Sequence, residues 1–157
     1  MIYQALMFFG QIVALALGAL LWALAGLHAY WGRGGLWPEG DEASLARTVI
    51  GTAGLREMPS ASACYGAASV LFFAGLWPLT MIAGLMPALL PAELMLLAGY
   101  GLAALFLGRG AAAYLPQFRR VFSEEPFATL DRQFYGPLCL AIGVGFAFLL
   151  SLGWIRP

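Results

Sequence analysis

Few side chains in this sequence can do chemistry, and they gather where apolar runs meet polar ones. His28 is the only histidine. A neutral imidazole near the end of a hydrophobic segment keeps one donor and one acceptor that need partners. Asp131 stands just before the last apolar run and is placed to accept the imidazole N–H. Arg109, the one formal charge inside the third apolar run, is placed to pair with the same carboxylate. Together His28, Asp131 and Arg109 would suit proton transfer on a membrane-soluble substrate, or the binding of an anionic headgroup. The simpler reading is that His28 ties a helix end to a distant loop by a hydrogen bond, while Arg109 snorkels to the lipid headgroups. Both readings stand at this level.

Four aromatic residues flank these positions. Tyr30, Trp31, Trp37 and Tyr135 can anchor helix ends at a membrane interface, or roof a pocket for a lipid or small apolar molecule. Gly32, Gly34 and Gly35 have no following Lys-Ser/Thr and no strand before them, so they read as a sharp turn and not as a phosphate cradle. A single histidine supplies one ligand, and Cys64 and Cys139 form no C-x-x-C, so neither haem through His28 nor any metal or other cofactor is expected. The thiols read as small apolar groups. No Ser–His–Asp, H-E-x-x-H or P-loop pattern occurs, and the default is a protein that is not an enzyme.

The elements that must position these residues follow from composition. A chain of 157 residues that is 62% hydrophobic and 10% charged has too few polar groups to cover a soluble globule, so its solvent must be lipid. Net charge is zero, which leaves no long-range field to attract nucleic acid, and none is expected as a partner. Four apolar runs are each long enough to cross the hydrocarbon, at about residues 5–30, 60–84, 93–114 and 134–154, in one domain. The first lacks a basic leader and a cleavage site, and reads as a retained helix. Gly10, Ala14 and Gly18 recur every four positions on it, as do Ala104, Gly108 and Ala112 on the third, giving stripes where a neighbour can approach closely. Pro78 lies inside the second run, where it removes a backbone donor and predicts a kink, while Pro87 and Pro91 bracket a short antiparallel return.

Loops one and three are polar. In loop one, Asp41 can cap a short interfacial helix over Glu42 to Ile50, with Leu45, Val49 and Ile50 toward lipid or protein and Glu42 and Arg47 toward water. In loop three, Ser123 can cap a second surface helix carrying Pro126 near its start and Phe127 and Leu130 on its apolar face. Loop one carries Arg33, Arg47 and Arg56, and loop three Arg109, Arg119, Arg120 and Arg132, against Arg156 alone on the opposite side. The positive-inside rule then puts both loops in the cytoplasm and both termini in the periplasm. Tyr30, Trp31, Trp37, Tyr65, Tyr114 and Tyr135 would form the inner aromatic belt, Tyr3 and Trp154 the outer one.

Two motifs carry a resemblance: His28-x-Tyr30-Trp31-Gly32-x-Gly34-Gly35-x-Trp37-Pro38 after the first run, and Leu130-Asp131-Arg132-x-Phe134-Tyr135-x-Pro137-Leu138-Cys139-Leu140 at the start of the fourth. The chain resembles a family of small bacterial four-helix inner-membrane proteins of unknown function. The resemblance implies a bacterial inner-membrane location and one four-helix domain. It also points to the two motifs meeting in space.

The expectation is an all-α integral membrane bundle of four transmembrane helices, with short interfacial helices in loops one and three. Three functions remain open. The first is a structural or accessory subunit of a membrane complex or a homo-oligomer, in contact with membrane lipid. The second is a binding or transport module for a lipid or small apolar molecule. The third is a membrane enzyme using His28 and Asp131.

Overall fold

The computed structural model describes residues 1–83 and 91–153. Gly84, Pro87, Trp154 and Arg156, on which parts of the second and fourth spans, the short return, the outer belt and the charge count depend, lie outside the described residues. The elements in chain order are α1 (Ile2–Gly32), α2 (Glu42–Val49), α3 (Ala61–Ile82), α4 (Ala92–Ala112), α5 (Pro116–Val121), α6 (Phe127–Leu130), a π turn (Asp131–Tyr135) and α7 (Gly136–Ser151), with no strand among the described residues. Four stretches are long and apolar enough to cross a membrane: Ile2–Gly32, Ala61–Ile82, Ala92–Ala112 and Phe127–Ser151. In each, at most 28% of the most apolar window is buried by the chain itself, so most of that surface must be covered by something other than water. The molecule is an all-α membrane bundle with short helices in loops one and three.

Small residues set the pairing. α1 lies along α3, and α4 along α7, with α1 also touching α7. On the first seam Gly10, Ala14 and Gly18 are buried. A Cβ on Gly18 would sit 2.8 Å from Leu79, and one on Gly75 2.8 Å from Trp22. On the second seam the structure corrects the sequence reading. Ala104 and Gly108 face outward, and the buried residues are Met95, Gly99, Ala103, Phe106 and Gly110. α4 carries small residues on two faces, and the choice between them is made by α7: a Cβ on Gly110 would lie 2.8 Å from the Gly136 carbonyl and the Leu140 nitrogen. Trp77 joins the two pairs. Its indole N–H donates to the Met95 carbonyl at 2.9 Å, and its ring packs on Phe146 with centroids 5.5 Å apart.

Pro78 is buried inside a helix that runs unbroken to Ile82. Ser60 caps α3, its hydroxyl accepting the Ala63 N–H at 3.3 Å. Asp41 caps α2, accepting the Ser44 N–H at 2.9 Å. The buried face of α2 is Leu45, Ala46 and Thr48, while Val49 and Ile50 are half-buried. Leu45, Val49 and Ile50 thus face protein, and Thr48 is buried with them, its hydroxyl donating to Glu39 at 2.8 Å and its carbonyl accepting the Tyr135 hydroxyl at 3.2 Å.

Loop three differs from its expected form. Ser123 caps no helix; the first short helix ends at Val121, and the helix starting at Phe127 continues into the fourth span. Its N-cap position is Pro126, which offers no capping side chain, and the first turn is held instead by Glu125, whose carboxylate accepts both the N–H and the hydroxyl of Thr129. Loops one and three lie at the same end of the bundle and are bonded together. Glu124 donates its N–H to the Gly51 carbonyl at 3.0 Å and accepts the Gly54 N–H at 3.1 Å. Gly51 is required there, because its φ of +71° is left-handed and Phe127 fills the space a side chain would need.

Candidate functional site

The chemistry-bearing residues separate into two groups at this end. The first is the ion pair. Asp131 opens the π turn, 3% exposed, and its Oδ1 accepts from Arg109 Nη2 at 2.6 Å. Arg109 therefore turns toward a carboxylate, the sharper of its two expected roles. Its guanidinium also stacks 5.0 Å from the Phe118 ring centroid, a cation–π contact. Its Nη1 is buried with no hydrogen-bond partner. The pair sits beside a close approach of α4 and α7: a Cβ on Gly136 would be 2.8 Å from the Ala113 Cβ and 3.3 Å from the Gly110 carbonyl. The five-residue π turn makes that approach, at a kind of helix irregularity that often marks functional positions. Phe118 carries no sequence signal for its place over Arg109; only the fold-back of α5 brings it there.

The second group surrounds His28. Its Nδ1 lies 2.8 Å from the Leu24 carbonyl. A carbonyl can only accept, so Nδ1 carries the hydrogen and, in the neutral ring, Nε2 keeps its lone pair. Nε2 has no hydrogen-bond partner among the described residues. The ring packs edge-on against Trp31, centroids 5.1 Å apart. His28 and Trp31 line a cavity of about 250 Å³ together with Val49 and Ile50 at the end of α2, Met58 and Pro59 before α3, and Ala63, Cys64 and Ala67 in its first turns. Cys64 was visible in sequence only as a small apolar residue, yet loop one joins α1 to α3, and an antiparallel return puts the start of α3 beside the end of α1.

The remaining expected residues are placed as follows. Trp31 donates its indole N–H to the Trp37 carbonyl at 2.8 Å, closing the turn in which Gly34 has φ +82°. Tyr30 packs on Gly35 and, like Trp37, is exposed. Tyr135 reaches the other way, its hydroxyl bonded to the Thr48 carbonyl and its ring tilted against Phe127 with centroids 5.8 Å apart. Of the four aromatic candidates only Trp31 lines the cavity. The structure thus brings Arg109 and Asp131 together, and His28 and Trp31 together, while no hydrogen bond joins His28 to Asp131 among the described residues. The two motifs are linked through α2, which faces the His28 cavity on one side and accepts Tyr135 on the other. Among the described residues no group of three His, Cys, Asp or Glu is placed to hold a metal ion.

Comparison with known proteins adds one match. A family model described as "Protein of unknown function (DUF3995)" covers residues 12–146. No curated protein and no solved structure matches.

Proposed function

The chain belongs to the family described as protein of unknown function (DUF3995), and from that premise we propose that it is a membrane protein that binds a small amphipathic molecule in the His28–Trp31 cavity. One observation carries this reading: an imidazole whose Nδ1 is taken by Leu24, and whose Nε2 has no hydrogen-bond partner among the described residues, lines a largely apolar cavity. A ligand with an apolar body and a hydroxyl or amine donor answers both features. Its body meets Val49, Ile50, Met58, Ala63 and Ala67, and its donor meets Nε2. The volume is below that of ordinary small-molecule pockets, which suits a compact ring or the head of a longer molecule.

The arginines of loops one and three support placing this end at the cytoplasmic face of a bacterial inner membrane, with the termini periplasmic. A second reading, an accessory subunit or homo-oligomer, is favoured by an open groove of about 610 Å³ along α1 and α3. Its floor is Ala25, Gly26 and Ala29 and its walls are Trp22, Phe72 and Phe73, a shape that admits a further helix. The enzyme reading requires His28 and Asp131 within hydrogen-bond reach of one another, and no hydrogen bond joins them among the described residues, His28 Nδ1 being bonded to Leu24 and Asp131 to Arg109.

The test uses 4-butylphenol, which has a donor, and butylbenzene, which lacks one, with the full chain in lipid nanodiscs. The phenol should raise the unfolding midpoint in a saturable way and bind roughly 2- to 10-fold more tightly than the hydrocarbon. His28→Phe should erase that difference. Equal, non-saturable effects of the two probes, or a difference that survives His28→Phe, would remove the proposal.

A further inference from the structure

Loop three carries more positive charge than its own carboxylates balance. Asp131 is taken by Arg109, Glu124 accepts the Gly54 N–H, and Glu125 accepts from Thr129. Arg109–Asp131 is the only ion pair among the described residues. Arg119, Arg120 and Arg132 are all exposed and have no carboxylate partner.

The contacts already described bring these three toward one place. Phe118 and Asp131 both touch the Arg109 guanidinium, so α5, which carries Arg119 and Arg120, meets the π turn, which carries Arg132, at that point. The Tyr114 hydroxyl fixes the Arg132 carbonyl at 3.1 Å. Beneath α5 a chain of rings runs from Phe118 to Phe122 at 4.4 Å, to Phe127 at 6.1 Å and to Tyr135 at 5.8 Å. Those rings hold the apolar side of α5 on the bundle and leave Arg119 and Arg120 outside. On the same two segments, Leu115, Val121 and Phe134 are 52%, 54% and 60% exposed. Cations set among exposed apolar side chains beside four membrane-length helices match the layer where phosphates meet acyl chains.

We propose that this face, Arg119, Arg120 and Arg132 within the rim of Leu115, Val121 and Phe134, is a docking site for an anionic phospholipid. The arginines take the phosphodiester and any further headgroup anion, and the rim takes the upper acyl chain. An inorganic phosphate would use the cations and gain nothing from the rim, which is why the lipid is the occupant.

The experiment is competition between phosphatidylglycerol and phosphatidylcholine for the full chain, read by native mass spectrometry and by lipid retained in nanodiscs. Wild type should prefer phosphatidylglycerol, less so as salt rises. The triple variant Arg119→Gln, Arg120→Gln, Arg132→Gln should lose about five-fold of that preference per arginine. The corresponding triple lysine variant should keep most of it, and Arg33→Gln with Arg56→Gln in loop one should leave it unchanged. If the glutamine triple fails to fold, the lysine triple and the wild-type salt dependence carry the result. Absence of headgroup preference in wild type, its survival in a folded glutamine triple, or its abolition by millimolar inorganic phosphate at constant ionic strength would each overturn the site.

Discussion

At the end of the bundle that holds loops one and three, the α1–α3 pair is uncharged and hollow, whereas the α4–α7 pair is charged and closed. On the closed side Gly110, Ala113 and Gly136 bring two backbones into contact, and the charges set there, Arg109 and Asp131, pair with one another because the Asp131 carboxylate is buried away from water. On the hollow side Gly32 contacts Cys64 and Tyr65, and a cavity lies beside it with a single imidazole as its main polar group. The same helix–helix geometry thus produces a lock in one pair and a pocket in the other. What decides is whether the polar group at the seam brings its own partner.

The largest effect should come from opening the lock. Asp131→Leu leaves Arg109 without its counter-charge, and breaking a buried pair from one side costs about 3–5 kcal/mol. Arg109 is 34% exposed, so part of its charge can reach headgroups and the cost falls toward the lower end. The double variant Arg109→Met with Asp131→Leu should recover much of this, since an apolar replacement of both partners removes the desolvation cost as well. Thermal unfolding in detergent of both single variants and the double measures the coupling. A single variant as stable as wild type would mean the pair is no lock.

A smaller effect should distinguish the closed seam from an open helix face. Gly136→Ala puts a methyl against the Ala113 side chain and two backbone carbonyls, of Asp131 and Gly110, and overpacking of this kind costs about 1–3 kcal/mol. Gly26→Ala meets nothing within 4 Å and replaces a helix-interior glycine, so it should be neutral or stabilising by up to about 1 kcal/mol. Unfolding midpoints of the two variants side by side give the answer, and equal shifts would deny that the close approach at Gly136 matters.

The hollow and closed sides were not equally legible in the sequence. The spans, the Asp41 cap and the Ser60 start follow from local chemistry, because an apolar run of membrane length and a capping side chain act on their own neighbours. The Arg109–Asp131 pair was named as one of two outcomes, since a charge inside a span needs a partner and Asp131 borders the next span. The buried face of α4 could not be chosen, because Ala104–Gly108 and Gly99–Ala103–Gly110 are equally small and only the surface of α7 selects between them. His28 was expected to look toward Asp131. Its nearest acceptor proved to be the Leu24 carbonyl one turn back on its own helix, a local satisfaction open to any helical histidine. The burial of Thr48 on α2 has no signal in its own neighbourhood for a related reason: the groups that hold it, Glu39 accepting from its hydroxyl and Tyr135 donating to its carbonyl, lie elsewhere in the chain.

The smallest predicted effect tests whether the pocket depends on the element that separates it from the lock. α2 ends in Val49, which with Ile50 forms one wall of the cavity, while the Thr48 carbonyl holds Tyr135 on the closed side. Asp41 starts this helix. Hydrogen bonds from the Ser44 backbone N–H, and then from its hydroxyl, hold its carboxyl below the ordinary value of 3.8. A folded-state pKa below the unfolded one means that the cap's contribution is fully present above pH 3.8 and is lost as pH falls through the lower folded value. Amide exchange at Ser44 and Leu45 should therefore quicken below that point in the wild type. In Asp41→Ala it should be fast at every pH, with 4-butylphenol binding weakened and the Arg109–Asp131 coupling untouched. If the Asp41 variant instead loosens α4 against α7, the two sides are a single unit, and the contrast between hollow and closed ends has been drawn too sharply.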